Sequence, residues 1–263
     1  MLTQLQDDWP YFCALTYPHA TVYNLSPSPP ASAKGGSGTI QTAENYRQIY
    51  HPDLDNPFPF PRGFFNAVVF RFPTINSEAA YRFAISESKR VLRPGGYLEI
   101  SVLDLDMMNM GNRARRAVRM LKVKLHVEHD TLSLKPISDN IQRMLGRRGF
   151  ENLNRCMVGV PVAGKVADSR AGSLDEREFS YNNTEKSRTQ GDEGVTKMAP
   201  RVGRWWYSRC YESPLLPENG DMSRSIWNDR ALLRECEKRK TSFKMLLCYA
   251  QKPLAPLRRT VSV

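Results

Sequence analysis

The sequence predicts an α/β fold built on a parallel sheet, and three features between Phe65 and Asp106 carry that expectation. Ala67–Phe70 is a short apolar, β-branched run, as a strand buried on both faces should be. Ser77 can cap a helix on which Ala80, Phe83, Ala84 and Val91 recur at helical spacing. Arg90 and Arg93 suit its negative end, and Pro94-Gly95-Gly96 stops it before a second strand, Tyr97–Leu103. Two strands joined by a helix of this length form a right-handed crossover between parallel neighbours.

The other elements follow along the chain. Leu2–Thr16 reads as a helix with Leu2, Leu5, Trp9, Phe12 and Cys13 inward, although Pro10 would kink it or start a new turn. Ala20–Asn24 is a short strand, and Ser26–Gly38 a Ser/Pro/Gly loop. Thr42–Gln48 suggests a helical turn, and Tyr46–Tyr50 a weaker strand. Four prolines make Pro52–Gly63 irregular. A methionine-rich loop, Asp104–Gly111, leads to a basic helix. Pro136–Arg148 is a helix with Ile137, Ile141, Met144 and Leu145 on one face, and Phe150–Val160 a strand. Ala163–Arg204 is polar and poor in large apolar residues, as a mobile insertion would be, until Trp205-Trp206-Tyr207 ends it. Those aromatics would pack back onto the domain or act as a lid over substrate. Ile226–Arg239 is a last amphipathic helix and Ser242–Ala250 a last strand. The domain division expected is 1–163 for the α/β domain, 164–204 for the insertion, 205–253 for its closing elements and 254–263 for a basic tail.

Composition narrows the function classes. The 263 residues suffice for one full core plus a tail, and 41% apolar content is ordinary for a globular chain. No run of 18 or more apolar residues occurs, so no membrane span is expected. The opening MLTQLQDDWPYF lacks a basic region followed by an apolar core, so no secretory signal is expected and the localisation reads as cytoplasmic or nuclear. Five cysteines without a CxxC pair argue against a disulfide frame and against zinc. His126 and His129 lie one helical turn apart but lack the HExxH pattern. The net charge of +11 is concentrated in Arg113, Arg115, Arg116, Arg119, Lys122 and Lys124, opposite Ala114, Ala117, Val118, Leu121 and Leu125 on the same helix. That face is either solvated or a surface for an acidic partner; nucleic acid is permitted by the charge but unsupported by aromatic interleaving or a known motif.

Beyond composition, RVLRPGGYLEI after FNAVVF resembles the second half of a class I S-adenosylmethionine-dependent methyltransferase of the type 11 kind. PFPFPRGFFN resembles that family's turn before its fourth strand, YPHATVYNLSPS its second strand and exit loop, and GFENLN with FKMLLCYAQKP its closing antiparallel pair. The resemblance covers roughly 1–163 and 241–253. It implies a Rossmann-like sheet, mostly parallel with a closing antiparallel pair, a fungal source, S-adenosylmethionine as cofactor and a small-molecule or protein methyl acceptor. It also implies an N-terminally incomplete sheet. A first strand and its glycine-rich loop have no room before residue 20, so the chain is expected to begin inside the first helix. Gly35-Gly36-Ser37-Gly38 follows the wrong strand to replace that loop.

Site residues are carried over one at a time. Asn24 matches the family's acidic ribose contact, where an amide can accept one hydrogen bond but cannot grip as a carboxylate does. Asp53 or Asp55 lies near the adenine contact, with a turn-forming role as the alternative. Arg71 and Phe72 follow the fourth family strand, where the cofactor-lining loop begins; Arg71 could instead pair with a carboxylate. Asp104 and Asp106, after the next strand, are candidates for a general base toward the acceptor, or for loop caps. No metal site is expected. Two other readings stand beside methyl transfer. One is a non-catalytic regulatory or scaffold protein using the basic helix and the Trp-Trp-Tyr surface. The other is a nicotinamide-dependent oxidoreductase, which should lack the closing antiparallel pair.

Overall fold

A computed structural model describes residues 8–27, 43–164, 198–215 and 225–254. Gly35–Gly38, most of the polar insertion and the basic tail lie outside the described residues. The chain runs α1 (Asp8–Thr16), β1 (Val22–Ser26), β2 (Tyr46–Tyr50), β3 (Phe65–Arg71), α2 (Glu78–Val91), β4 (Leu92–Leu103), α3 (Asn112–Glu128), α4 (Ile137–Arg147) and β5 (Glu151–Pro161). A helix over 198–207, α5, then continues into a π-helical turn, Ser208–Glu212, and α6 (Arg230–Arg239) and β6 (Ser242–Gln251) close the fold.

The strands form two sheets. In one, β1 and β2 pair in parallel, from Val22↔Tyr46 to Ser26↔Tyr50. In the other the order is β3-β4-β6-β5. β3 and β4 are parallel, as the crossover through α2 requires. β6 inserts antiparallel between β4 and β5, with Leu103↔Met245 on one side and Val158↔Met245 on the other. This is the α/β sheet with an antiparallel closing pair that the sequence led us to expect. Among the described residues no ladder joins β1 to β3. The two are bridged by side chains instead. Leu25 shares one buried cluster with Val68, Phe70, Ile85 and Leu98, and the Tyr23 ring meets Phe60, Phe64 and Phe65 edge-on at 5.4–5.6 Å.

The crossover shows how local sequence fixes this geometry. The Ser77 hydroxyl accepts the Ala80 N–H at 3.0 Å and caps α2. Glu87, near the other end of α2, accepts from Arg90 and from the Phe58 N–H at 2.9 Å, tying the proline-rich segment to the helix. Strand β4 begins at Leu92, five residues earlier than expected, because Arg93-Pro94-Gly95-Gly96 is a bulge within the strand rather than a separate turn. Gly96 is required there, since a Cβ would lie 2.9 Å from the Asn66 carbonyl oxygen.

Several boundaries differ from expectation. Strand β1 is shifted to Val22–Ser26. The helical turn expected over Thr42–Gln48 gives way to strand β2, whose β-branched and aromatic content pairs against β1. The expected helix Ile226–Arg239 is broken: Ile226–Asn228 is a 3-10 turn, and Asp229 caps α6 by accepting from Ala231 N–H at 2.7 Å. Residues 198–204, counted with the polar insertion in the sequence, are helical.

Candidate functional site

The carboxyl ends of β1, β2, β3 and β4 are where an open α/β sheet holds its ligands. In the middle of β1, Asn24 is wholly buried and its amide donates to the Tyr46 hydroxyl at 2.9 Å. Ser26, also buried, accepts the His51 N–H through its carbonyl at 2.8 Å. His51 itself is buried edge-on against Phe58, and its Nε2 has no hydrogen-bond partner among the described residues. Burial pushes the imidazole pKa down, opposed by the charge of Asp53.

The predicted residues are not gathered into one constellation. Asp53 accepts from the Asp55 N–H and from the Asn56 amide, both at 2.9 Å, so its carboxylate organises the turn after β2. Asp55 is exposed. The Arg71 guanidinium lies 4.5 Å from the Trp9 ring centroid, and its pKa is lowered by desolvation against the opposing pull of Glu99. Phe72 is 3% exposed and stacked on Trp206. Its backbone is left-handed, φ 44°, a conformation that costs a bulky residue about 1–3 kcal/mol and persists only where the surroundings impose it. Those surroundings are visible. The Phe72 N–H donates to the Ser101 carbonyl at 2.7 Å, and its own carbonyl accepts from the Cys210 thiol at 3.5 Å.

The two aspartates after β4 have different environments. Asp104 is 2% exposed and accepts from the Ser138 N–H at 2.8 Å, the Ser138 hydroxyl at 2.7 Å and the Lys244 ammonium at 3.0 Å. It pins the start of α4 to β6. Asp106 pairs with Lys122 of α3 at 2.7 Å and its side chain is 45% exposed. Of the six cations singled out on α3, the other five project into solvent, while Ala114, Val118, Leu121 and Leu125 are buried as the spacing required.

The sequence singled out Trp205-Trp206-Tyr207 without saying what it would meet. Tyr207 is fully buried and donates to the Leu105 carbonyl at 2.9 Å, Tyr211 donates to the Leu103 carbonyl, and the Ile75 N–H donates to the Cys210 carbonyl at 2.8 Å. The segment 198–215 therefore covers the carboxyl edge of β3 and β4. Trp9 and His51 were missed as site residues. The signal for His51 was its place directly after a strand, which the pattern alone could not separate from an ordinary core histidine. Among the described residues no group of three potential ligands could hold a metal ion, and no helix is long and apolar enough to cross a membrane. The five cysteines are unpaired.

No protein-family profile and no curated protein matches the sequence. Solved structures of similar arrangement include geranyl diphosphate C-methyltransferase from Streptomyces coelicolor, with a TM-score of 0.44 and 12% identity over 91% of this chain and 67% of that one. Phosphoethanolamine N-methyltransferase 2 from Haemonchus contortus gives 0.45 and 14%, over 91% of this chain and 45% of that one. The [4+2]-cyclase SpnF gives 0.42 and 14%, over 92% of this chain and 71% of that one. The chain thus spans less than half of the second of these. At such scores the likenesses carry no argument about activity, and the class is defined by the chain's own topology: an open α/β sheet with an antiparallel closing pair.

Proposed function

We propose that the chain is an S-adenosylmethionine-dependent methyltransferase acting on a small-molecule acceptor. The observation that carries this reading is the insertion of β6 antiparallel between β4 and β5, beside the parallel β3-β4 pair. That arrangement is the one implied by the sequence resemblance, and it disfavours a nicotinamide-dependent oxidoreductase. The cover formed by 198–215 over the edge favours an acceptor small enough to pass beneath it.

The residues present fit the nucleoside end of the cofactor. Asn24 within β1, Ser26 at its end and His51 just after β2 are buried polar groups, and the orphaned His51 Nε2 is a group that a ligand would satisfy. Asp53 and Asp55 stand in the turn just beyond. They do not fit the methionine end: Arg71 and Phe72 are occupied by Trp9 and Trp206. The cofactor supplies an electrophilic methyl carbon, so the protein's task is to align an acceptor and exclude water. Asp106, exposed and steadied by Lys122, is the carboxylate placed to orient an acceptor proton. Asp104 ties α4 to β6 through Ser138 and Lys244.

The occupied methionine end favours the second reading, a non-catalytic methyltransferase-like scaffold. Isothermal titration with S-adenosylmethionine, paired with an assay for S-adenosylhomocysteine release, separates the two. Saturable binding that weakens in His51→Ala supports the first reading. Absence of binding with the chain folded overturns it in favour of the second.

A further inference from the structure

Helices α2 and α4 pack side by side on the sheet, and between them lies a groove of about 260 Å³. Its walls are Glu78 and Arg82 from α2, and Asn140, Arg143, Met144, Arg147 and Arg148 from α4 and its cap. The spacing explains the convergence. Positions 140, 143, 144 and 147 form one stripe of α4, and 78 and 82 are one turn apart on α2. Four exposed arginines thus line a small open volume with one carboxylate among them. Glu78 is already shared between Arg82 at 2.9 Å and Lys135 at 3.7 Å. Arg143, Arg147 and Arg148 have no ion-pair partner among the described residues.

The helix dipole explains Arg147 and Arg148 at the end of α4, and the Glu78 pair explains Arg82 on α2; Arg143, in the middle of α4, is left over. Arg143 and Arg147 repel each other at i,i+4, an arrangement that disfavours the free helix. Asn140, a residue only 6% exposed, lines the same groove and brings an amide to it.

We propose that this groove binds a phosphate-bearing small molecule. Guanidinium forks match phosphate oxygens in pairs, and several around one volume hold a doubly charged group better than a single carboxylate. The Asn140 amide would donate to the same oxygens, and Met144 gives an apolar wall for the body that carries them. A groove of this size suits a phosphomonoester or diphosphate better than an extended peptide or a nucleic-acid strand. The site stands on the outer helical face and does not depend on whether the sheet edge holds a cofactor.

Calorimetric titration of the full chain with pyrophosphate and with a sugar phosphomonoester, at physiological salt, tests this. We expect saturable binding of both, weakened about tenfold or more in the Arg143→Gln/Arg147→Gln variant, as loss of charge-assisted pairs requires. The control Arg115→Gln/Arg116→Gln on α3, with the same change in net charge, should bind as the parent does. Arg147→Lys keeps the charge but removes the fork and should fall between, which keeps the test valid if the double variant does not fold. Equal loss in the α3 control, absence of binding, or binding of a polynucleotide alone would overturn the proposal. S-adenosylmethionine titrated into the same variants reports separately on the sheet edge.

Discussion

The indole of Trp206 lies almost flat on the ring of Phe72, with centroids 4.4 Å apart and planes inclined by 20°. Phe72 is the first residue beyond β3 and has the left-handed backbone described above, so a helix more than 130 residues further along the chain holds the strand's exit in place. Trp206→Ala removes the stack and uncovers Phe72. A half-buried aromatic of this kind is worth about 1–3 kcal/mol, so the urea midpoint should fall accordingly with the m-value unchanged. If the stack also blocks the methionine end of a cofactor site, the same variant should bind S-adenosylmethionine more tightly than the parent while being less stable. Those two readouts moving in opposite directions would be hard to obtain from a purely structural contact.

His51 gives a pH dependence with a defined sign. Its folded pKa lies below the ordinary 6.5 because burial penalises the cation. Below 6.5 the unfolded chain therefore takes up a proton that the folded chain resists, and stability falls as pH drops toward the depressed value. Glu87, whose pKa is lowered chiefly by its hydrogen bond to Arg90, adds a further loss below 4.5. Chemical denaturation between pH 5 and pH 7, where an imidazole titrates, should show stability rising with pH. His51→Gln should flatten that slope and leave the acid limb in place.

Gly96 tests the bulge that starts β4. A Cβ there would meet the Asn66 carbonyl oxygen at 2.9 Å and the Arg93 carbonyl oxygen at 3.0 Å, both backbone atoms that cannot swing aside. Gly96→Ala should cost about 1–3 kcal/mol by thermal or chemical denaturation, the usual range for overpacking. Gly146, with nothing within 4 Å of its added Cβ and a helical setting, should gain about 0.5–1 kcal/mol on the same change. Opposite signs at two glycines would separate steric need from general glycine intolerance.

The parts of this fold that could be read in the sequence are those with a strong local cause. The Ser77 cap, the apolar face of α4 and the β3-α2-β4 crossover each rest on residues within a few turns of one another. Strand β5 was found although nearly all of it is exposed, because Gly149 ends α4 just before it; its partner on β6 lies about 90 residues away. What stayed hidden depends on distant partners. Nothing near Asp104 reveals that Ser138 and Lys244 saturate its carboxylate, and nothing near Arg71 reveals Trp9. The outer sheet face, where Tyr97 meets Tyr249 at 6.1 Å with both rings substantially exposed, was equally invisible, since an alternating strand looks the same whether or not a helix covers it.

Asp104 and Asp106 stand two residues apart and should respond differently to the same substitution. Asp104 satisfies three donors while almost wholly buried, so Asp104→Asn leaves the Lys244 ammonium without its close counter-charge and one of the Ser138 donors unmatched. Lys244 is 31% exposed and can turn toward water and Asp139, which keeps the loss to about 1.5–3 kcal/mol, the range for hydrogen bonds to charged groups. Burial alone would lower the Lys244 pKa; the Asp104 carboxylate outweighs it and holds the ammonium above its ordinary 10.5. That contribution is complete at neutral pH and disappears only as pH rises through the raised value, so the deficit of Asp104→Asn should be unchanged between pH 6 and pH 9. Asp106 has one partner, Lys122, at the surface. Asp106→Asn should change stability by less than about 1 kcal/mol. If Asp106 orients the acceptor, it should nevertheless lower methyl-transfer turnover at unchanged S-adenosylmethionine affinity. A variant that keeps full turnover would assign Asp106 to the α3 contact alone.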